Sequence, residues 1–350
     1  GVLAALLIAV MWTGVIAAQF VAAGSVLSAS AGLPVTAGIA LMAGLIVCYT
    51  AWGGQAAVLR TDLVQMVMLA LVIVLPLVFV FHEPAQSAVP ALTDPAQGLF
   101  AGLRWSHWLA LMVVLAGMYA LGPDMCSRIL VARDETAARL GAWLAAGGLL
   151  LVSVAVTYLG VRVQGSEGGP QTAAQALPWL IGETMPAWTA AVVNVGLLAA
   201  LLSSADTCLL TAASVLELDL AGRTRKTGRH PAWARVFIVL IGALSALLAA
   251  VNPRIIGNIM LAYAFYAGGL LVPLVLLRFR RAVAAVPPPW IWGAMLTGGV
   301  IPLILLLGGR IALDDGFLRL AVAGAWGIVG CSAVIGTGAV TRIVGAACRH

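Results

Sequence analysis

The sequence predicts an all-α integral membrane protein with about ten transmembrane helices. Of its 350 residues, 62% are apolar and only 9% are charged, and the mean hydropathy is +1.07. A soluble domain carries about 25% charged residues. Apolar runs recur at about the 20-residue length that crosses a bilayer as a helix, whereas the short alternating segments typical of a membrane β-barrel are absent from the sequence. Residues 1–350 are therefore predicted to form a single transmembrane domain.

Ten apolar spans follow one another along the chain. Gly53 and Gly54 are expected to end the second span, and Gly122 with Pro123 to end or interrupt the fourth. Tryptophan favours the membrane interface, and Trp105, Trp188 and others lie at span ends. The predicted limits are roughly 3–28, 35–52, 60–81, 105–122, 136–162, 188–220, 233–251, 255–278, 289–309 and 316–345.

The basic residues indicate how the chain is oriented in the membrane. Of the 19 Lys and Arg residues, 14 lie at the C-terminus or in connections that follow even-numbered spans, and 5 lie on the other side. By the positive-inside rule the first group is cytoplasmic. We therefore predict a multi-pass protein of the cell inner (plasma) membrane with a cytoplasmic C-terminus. The net charge of +6 then reflects topology, and no nucleic-acid partner is expected.

The predicted outer connection at 163–187 contains GSEGGP and then TAAQALPWLIGETMP. This stretch predicts one or two short helices. Such a segment can lie as a lid over an outer mouth, and it can equally be an ordinary surface loop.

Span six carries polar residues within LLSSADTCLLTAASVLELD. Ala200, Ser203, Ser204 and Thr207 are three to four residues apart and share one helical face. A hard cation prefers several oxygen ligands. The two serine hydroxyls can supply two of them, and the Ala200 carbonyl a third if a serine loosens the helical hydrogen bond. Helix packing and interhelical hydrogen bonds are the alternative role of these serines.

Two further polar positions have both a structural and a functional interpretation. Asp62, in YTAWGGQAAVLRTDLVQ, can cap span three with Gln65 as a capping box, or it can draw cations toward an inner exit.

The second position is LGPDMCSR, in which proline cannot continue a helix without losing a hydrogen bond. Span four therefore ends at Gly122, with Asp124 pairing with Arg128, or it breaks inside the membrane, as in transporters that bind solute at broken helices.

Three stretches in this order resemble the sodium:solute symporter family: AWGGQAAVLRTDLVQ, SRILVARDETAARLG and LAALLSSADTCLLTAASVLELDL. The likeness extends over essentially the whole chain. It implies a five-plus-five inverted-repeat transporter fold, here partial. Residues 1–278 would form core helices three to ten, and residues 289–345 would form extra C-terminal helices.

The resemblance also implies the roles of particular residues. The family's A-x-x-S-[ST] run falls on Ala200, Ser203 and Ser204, which would bind Na⁺. The aspartate of the family's T-D-x-x-Q run falls on Asp62, which would assist inward sodium release. The family's interrupted sixth helix falls on Gly122, Pro123 and Asp124, which would lie on the solute path.

Two departures from the family pattern are visible. Core helices one and two, of which the first supplies further sodium ligands, are not in this sequence, so we expect it to be a piece of a longer chain. The lysine and glutamine of the sugar-transporting members are missing from AAGGLLLVS and AYAFYAGGLL, which disfavours a sugar. Together with Asp124, three further polar or aromatic residues are expected to face a solute: Gln19, Tyr119 and Tyr266. Each of these three can instead serve packing.

We therefore predict a sodium-coupled secondary active symporter that imports a small solute by alternating access. An amino acid, an organic acid or a vitamin is favoured over a sugar. The expected partners are the solute, Na⁺ and the lipid bilayer, and no cofactor is expected beyond Na⁺ as the coupling ion.

Three other functions remain open at this point. A symporter-like membrane domain can act as a sensory module without net transport, and a truncated transporter can be non-functional. A membrane-embedded enzyme is disfavoured because all four histidines lie in loops or near span ends: His82, His107, His230 and His350. The solute, the choice between Na⁺ and H⁺, the stoichiometry and the oligomeric state are not readable from the sequence.

Overall fold

The computed structural model describes residues 1–82, 105–122, 129, 132–164, 169–170, 173–221, 231–277, 287–307 and 327–335, and this part of the chain contains no β-strand. In chain order the α-helices are α1 (Val2–Ala31), α2 (Val35–His82), α3 (Trp105–Leu121), α4 (Glu135–Gln164), α5 (Ala176–Thr184), α6 (Ala187–Leu216), α7 (Pro231–Val251), α8 (Ile255–Tyr266), α9 (Val272–Leu277) and α10 (Pro288–Leu307). Three shorter helical segments adjoin them: a 3₁₀ turn before α5 (Ala173–Gln175), a π-helical turn after α6 (Glu217–Ala221) and another between α8 and α9 (Ala267–Leu271).

Helix α1 is the centre of the packing. It contacts α2, α6, α7 and α8, and its Met11, Ile16 and Phe20 are fully buried. The helix ends at Gly32, whose φ of 67° lies in the left-handed region and whose amide donates to the Ser28 carbonyl. Glycine adopts this conformation without steric cost, so it makes a favourable C-terminal cap.

Helix α2 contains both the second and the third predicted span. A straight helix of its 48 residues would be about 72 Å long, more than twice the hydrocarbon thickness. The Tyr49 hydroxyl, however, lies 2.7 Å from Thr61 Oγ1. Twelve residues of straight helix rise about 18 Å, so these groups can meet only if α2 turns sharply between them. The bend therefore lies between Tyr49 and Thr61, a stretch that contains Gly53 and Gly54, where the sequence predicts a turn.

The continuous helix corrects one expectation. Because α2 runs through Thr61 and Asp62, neither residue begins a helix. The interpretation of Asp62 and Gln65 as a capping box is therefore wrong, and both side chains are available for other contacts.

Most of the predicted spans are confirmed. Seven stretches of the described chain are long and apolar enough to cross a membrane, and they correspond to predicted spans one to three and five to eight. Span four corresponds to the 17-residue α3, and span nine to the 20-residue α10. Of predicted span ten, the structure describes only 327–335, which is helical.

The predicted outer connection also forms the expected short helix. In α5, Leu180 and Ile181 are buried. Ile181 packs with Val72 of α2 and Val193 of α6, and Leu180 packs with Leu159 of α4. This apolar contact fixes α5 across the ends of three long helices.

Three glycines bring the last described helices together. A side chain on Gly298 of α10 would meet the carbonyl oxygen of Gly268 in the π-helical turn, and one on Gly327 would meet the carbonyl of Gly298. The three backbones therefore touch directly. This contact leaves no space for a methyl group at Gly268 or Gly298.

Candidate functional site

The candidate site begins with a hydrogen bond between two predicted residues. Ser203 Oγ of α6 donates to Asp62 Oδ1 of α2 at 2.8 Å. The two helices run antiparallel here, since a Cβ on Gly196 would lie 3.2 Å from the Met68 carbonyl oxygen. Both Asp62 and Ser203 are half-buried. A carboxylate and a hydroxyl are thus held together between two membrane-spanning helices.

The neighbours of Ser203 lie on an unbroken helix. Ala200 is half-buried, Ser204 is exposed, and α6 continues through both. The hydrogen bond that the structure gives to Ser203 crosses to α2 instead of returning to a carbonyl of α6. Loosening of the helix at Ala200, which the sequence analysis required for its carbonyl to bind a cation, is not observed in this conformation.

Asp206 is the residue that the sequence analysis passed over. It is fully buried, and its Oδ2 has no hydrogen-bond partner among the residues that the structure describes. Thr207 Oγ1 donates to its other oxygen, Oδ1, at 3.4 Å. The signal was present in the sequence, because Asp206 follows Ser203 by three residues and so lies near the same helical face.

Gln65 adds a second buried acceptor. Its side chain is 7% exposed, and within the described part of the chain its Oε1 has no hydrogen-bond partner. It follows Asp62 by three residues on α2, so in the antiparallel pairing of the two helices it lies about level with Ala200. Buried polar atoms without partners are uncommon and call for an explanation such as an absent ion or water. Gln65 Oε1 on α2 and Asp206 Oδ2 on α6 are thus two buried oxygens without a hydrogen-bond partner among the described residues.

The predicted solute residues lie in different settings. Gln19 is half-buried on α1, and Tyr266 is 1% exposed at the end of α8, directly before the π-helical turn. Tyr119 on α3 is 53% exposed. Gly122 is buried immediately after α3.

Pro123 and Asp124 lie outside the described residues, as does Arg128. The end of α3 at Leu121 agrees with both interpretations of this island, a helix end and a helix break. The expected solute path stays a prediction.

Comparison with known proteins places these features in a family. The family model of the sodium:solute symporter family matches residues 1–281. No curated protein matches the chain. Among solved structures, a substrate-bound, outward-open Na⁺-coupled sialic acid symporter aligns with a TM-score of 0.68 at 20% identity, over 98% of this chain and 74% of that one. The likeness confirms the expected all-α, inverted-repeat transporter fold.

Proposed function

The chain belongs to the sodium:solute symporter family, and from that premise we propose that it is a sodium-coupled secondary active symporter that imports a small solute. The observation that carries the proposal is the hydrogen bond from Ser203 to Asp62. Asp62 lies near the start of the predicted third span, and ionisable side chains within such spans are rare and usually serve an ion path or pair with a partner. Here Asp62 faces the hydroxyl of the run that the family resemblance assigns to sodium.

The sodium site that we propose contains Ala200, Ser203 and Ser204. Asp62 supplies a negative charge beside it and guides release toward the cytoplasm. Asp206, whose Oδ2 has no hydrogen-bond partner in the part of the chain that the structure describes, supplies a second carboxylate. Sodium binding would neutralise part of this negative charge and so stabilise one arrangement of α2 against α6.

Coupling to the solute follows from differential affinity. A ligand shifts a conformational equilibrium only as far as it binds one state better than the other. Sodium and solute that favour the same state therefore raise each other's affinity by the same factor. Entry of one positive charge down the membrane potential contributes about 2.3 kcal/mol per 100 mV.

The proposed solute is an amino acid, an organic acid or a vitamin in preference to a sugar. Gln19, Tyr119, Gly122, Pro123, Asp124 and Tyr266 are the proposed solute-path residues. The protein would carry its solute unchanged, as a transporter and not an enzyme. The proposed orientation places the C-terminus and the bend of α2 on the cytoplasmic side of the inner membrane, with core helices in residues 1–278 and additional helices in 289–345.

Uptake into proteoliposomes tests this function. The protein is reconstituted with an inward NaCl gradient, and a panel of labelled amino acids, organic acids and vitamins is screened against an equal choline chloride gradient. We expect at least one solute to accumulate only with the sodium gradient, and more so with an inside-negative potential. Accumulation driven equally by a proton gradient in choline would contradict sodium coupling.

A further inference from the structure

The Tyr49 hydroxyl joins the two halves of α2 across its bend. It lies 2.7 Å from Thr61 Oγ1, twelve residues further along the same helix. Tyr49 is half-buried, so this hydrogen bond is partly shielded from solvent.

The direction of this hydrogen bond follows from the contacts of Thr61. Thr61 Oγ1 donates to the Val58 carbonyl at 2.9 Å. A hydroxyl carries a single proton, so the proton between Tyr49 and Thr61 comes from tyrosine. Thr61 is thus held from two directions: by its bond to Val58 within α2 and by the hydroxyl of Tyr49 from the other half of the helix.

The residue after Thr61 is Asp62, which accepts the hydrogen bond from Ser203. The first half of α2 is itself fixed to a neighbour, because Arg235 Nε of α7 donates to the Ala51 carbonyl at 3.2 Å. Through Tyr49, this anchored half determines where Thr61, and with it Asp62, lies.

We propose that Tyr49 is a positioning residue of the coupling-ion site, and that its hydroxyl holds Asp62 against Ser203 by way of Thr61. The inference rests on the proposed sodium site. Loss of the hydroxyl removes one tie between the turn that carries Asp62 and the first half of α2. The carboxylate then spends less time within reach of the ion, and sodium binds more weakly.

The first test is a sodium titration of Tyr49→Phe, which removes the hydroxyl and keeps the ring. The thermal unfolding midpoint is followed in detergent as NaCl replaces choline chloride at constant ionic strength. We expect the half-saturating sodium concentration to rise about threefold to tenfold, which matches the net loss of one hydrogen bond. Thr61→Val, which removes the partner hydroxyl, should give the same shift, and the double variant should add little to either.

Two control variants match these substitutions. Tyr158→Phe removes a tyrosine hydroxyl where the ring stacks on Phe81 at 4.9 Å, and Thr297→Val removes a hydroxyl bonded to the Gly293 carbonyl of α10. Both should leave the half-saturating concentration unchanged. Tyr49→Phe and Thr61→Val values within twofold of wild type would overturn the inference.

A cycle in choline chloride separates this inference from the proposed function. Tyr49→Phe, Ser203→Ala and their combination are compared by unfolding midpoint without sodium. If Tyr49 acts by holding Asp62 on Ser203, its removal lowers the midpoint less in the Ser203→Ala background than in wild type. Strictly additive effects overturn the positioning role even if wild type responds to sodium. If the cycle is non-additive and the protein shows no sodium response, the contact between Tyr49 and the turn that carries Asp62 is supported. The proposed sodium site is then rejected.

Discussion

Ser203 and Asp62 are separated by 141 residues in the chain, and Ser203 Oγ donates to Asp62 Oδ1 at 2.8 Å. The bond connects α6, which carries the serine run, with the second half of α2, which begins beyond the bend. Any ion that binds the serine hydroxyls therefore lies next to a carboxylate. Removing the ion, the charge or the hydroxyl should have distinct and measurable effects.

Asp62→Asn should weaken sodium binding about tenfold or more. Asparagine keeps the size and an acceptor for Ser203 but loses a unit charge, and a charge pair a few ångströms apart is worth more than the 1.4 kcal/mol or so that corresponds to tenfold. The sodium dependence of the thermal midpoint measures this. Asp134→Asn, on the exposed connection before α4, is the control. The sodium dependence of its thermal midpoint should equal that of wild type.

Asp206→Asn should have different effects in the two salts. Burial of a carboxylate is costly unless its charge is paired, so neutralising the fully buried Asp206 should leave the unfolding midpoint in choline chloride unchanged or higher. The rise on adding NaCl should shrink, because the cation loses a buried counter-charge. A lower midpoint in choline together with an intact sodium response would instead assign Asp206 a purely structural role.

Gly298→Ala should destabilise the contact between α10 and the π-helical turn. The added methyl would meet the Gly268 carbonyl and lie 2.8 Å from Cys331 Cβ, and overpacking of this kind costs about 1–3 kcal/mol. The thermal midpoint should fall. Gly293→Ala on the same helix is the matched control, because its nearest neighbour would be Val334 Cγ1 at 3.8 Å. Equal midpoints for the two variants would show that the contact between Gly298 and Gly268 can accommodate a methyl group.

Asp134 should stabilise the first turn of α4 in a pH-dependent way. Its Oδ1 accepts a hydrogen bond from the Ala137 amide at 2.8 Å. This hydrogen bond is the largest cause that lowers the pKa of Asp134 below its usual 3.8, and the hydrogen bond from Arg133 is the next largest.

A group with a lowered folded pKa stabilises the fold above its unfolded pKa, and the contribution is lost as pH falls through the folded value. Hydrogen exchange of the Ala137 amide should therefore be protected at neutral pH in wild type and faster in Asp134→Ala. The difference between the two proteins should vanish in acid below the folded pKa. Equal exchange at neutral pH would contradict the capping role.

Much of the helical architecture is readable from apolar run length alone. The limits of α1, α4 and α7 differ from the predicted spans by only a few residues, since a helix in lipid must satisfy its own backbone groups along the whole apolar run. The bend of α2 lies between Tyr49 and Thr61, a stretch that contains the two glycines at which the sequence predicts a helix end, but the helical conformation through it was not predicted. Glycine lowers helix propensity by only about 1 kcal/mol per residue, so two glycines do not by themselves end a helix.

The candidate site was predictable residue by residue but not as an arrangement. Ser203 and Asp62 were each identified as polar groups in apolar surroundings, whereas their pairing depends on how α2 lies along α6. Asp206 was passed over because the family resemblance drew attention to the two serines, although its spacing places it nearby. The contact of Tyr49 with Thr61 depends on the angle of the bend, for which the sequence carries no periodic signal.

Sodium binding by the serine run of α6 can be measured through the thermal unfolding midpoint of the protein in NaCl and in choline chloride. A ligand that binds only the folded protein raises the midpoint by mass action, by about 2.7 kcal/mol in stability at one hundred times its Kd. We expect a sodium-specific rise in wild type that is absent from the Ser203→Ala/Ser204→Ala double variant. No rise in wild type, or an equal rise in the double variant, would contradict the account.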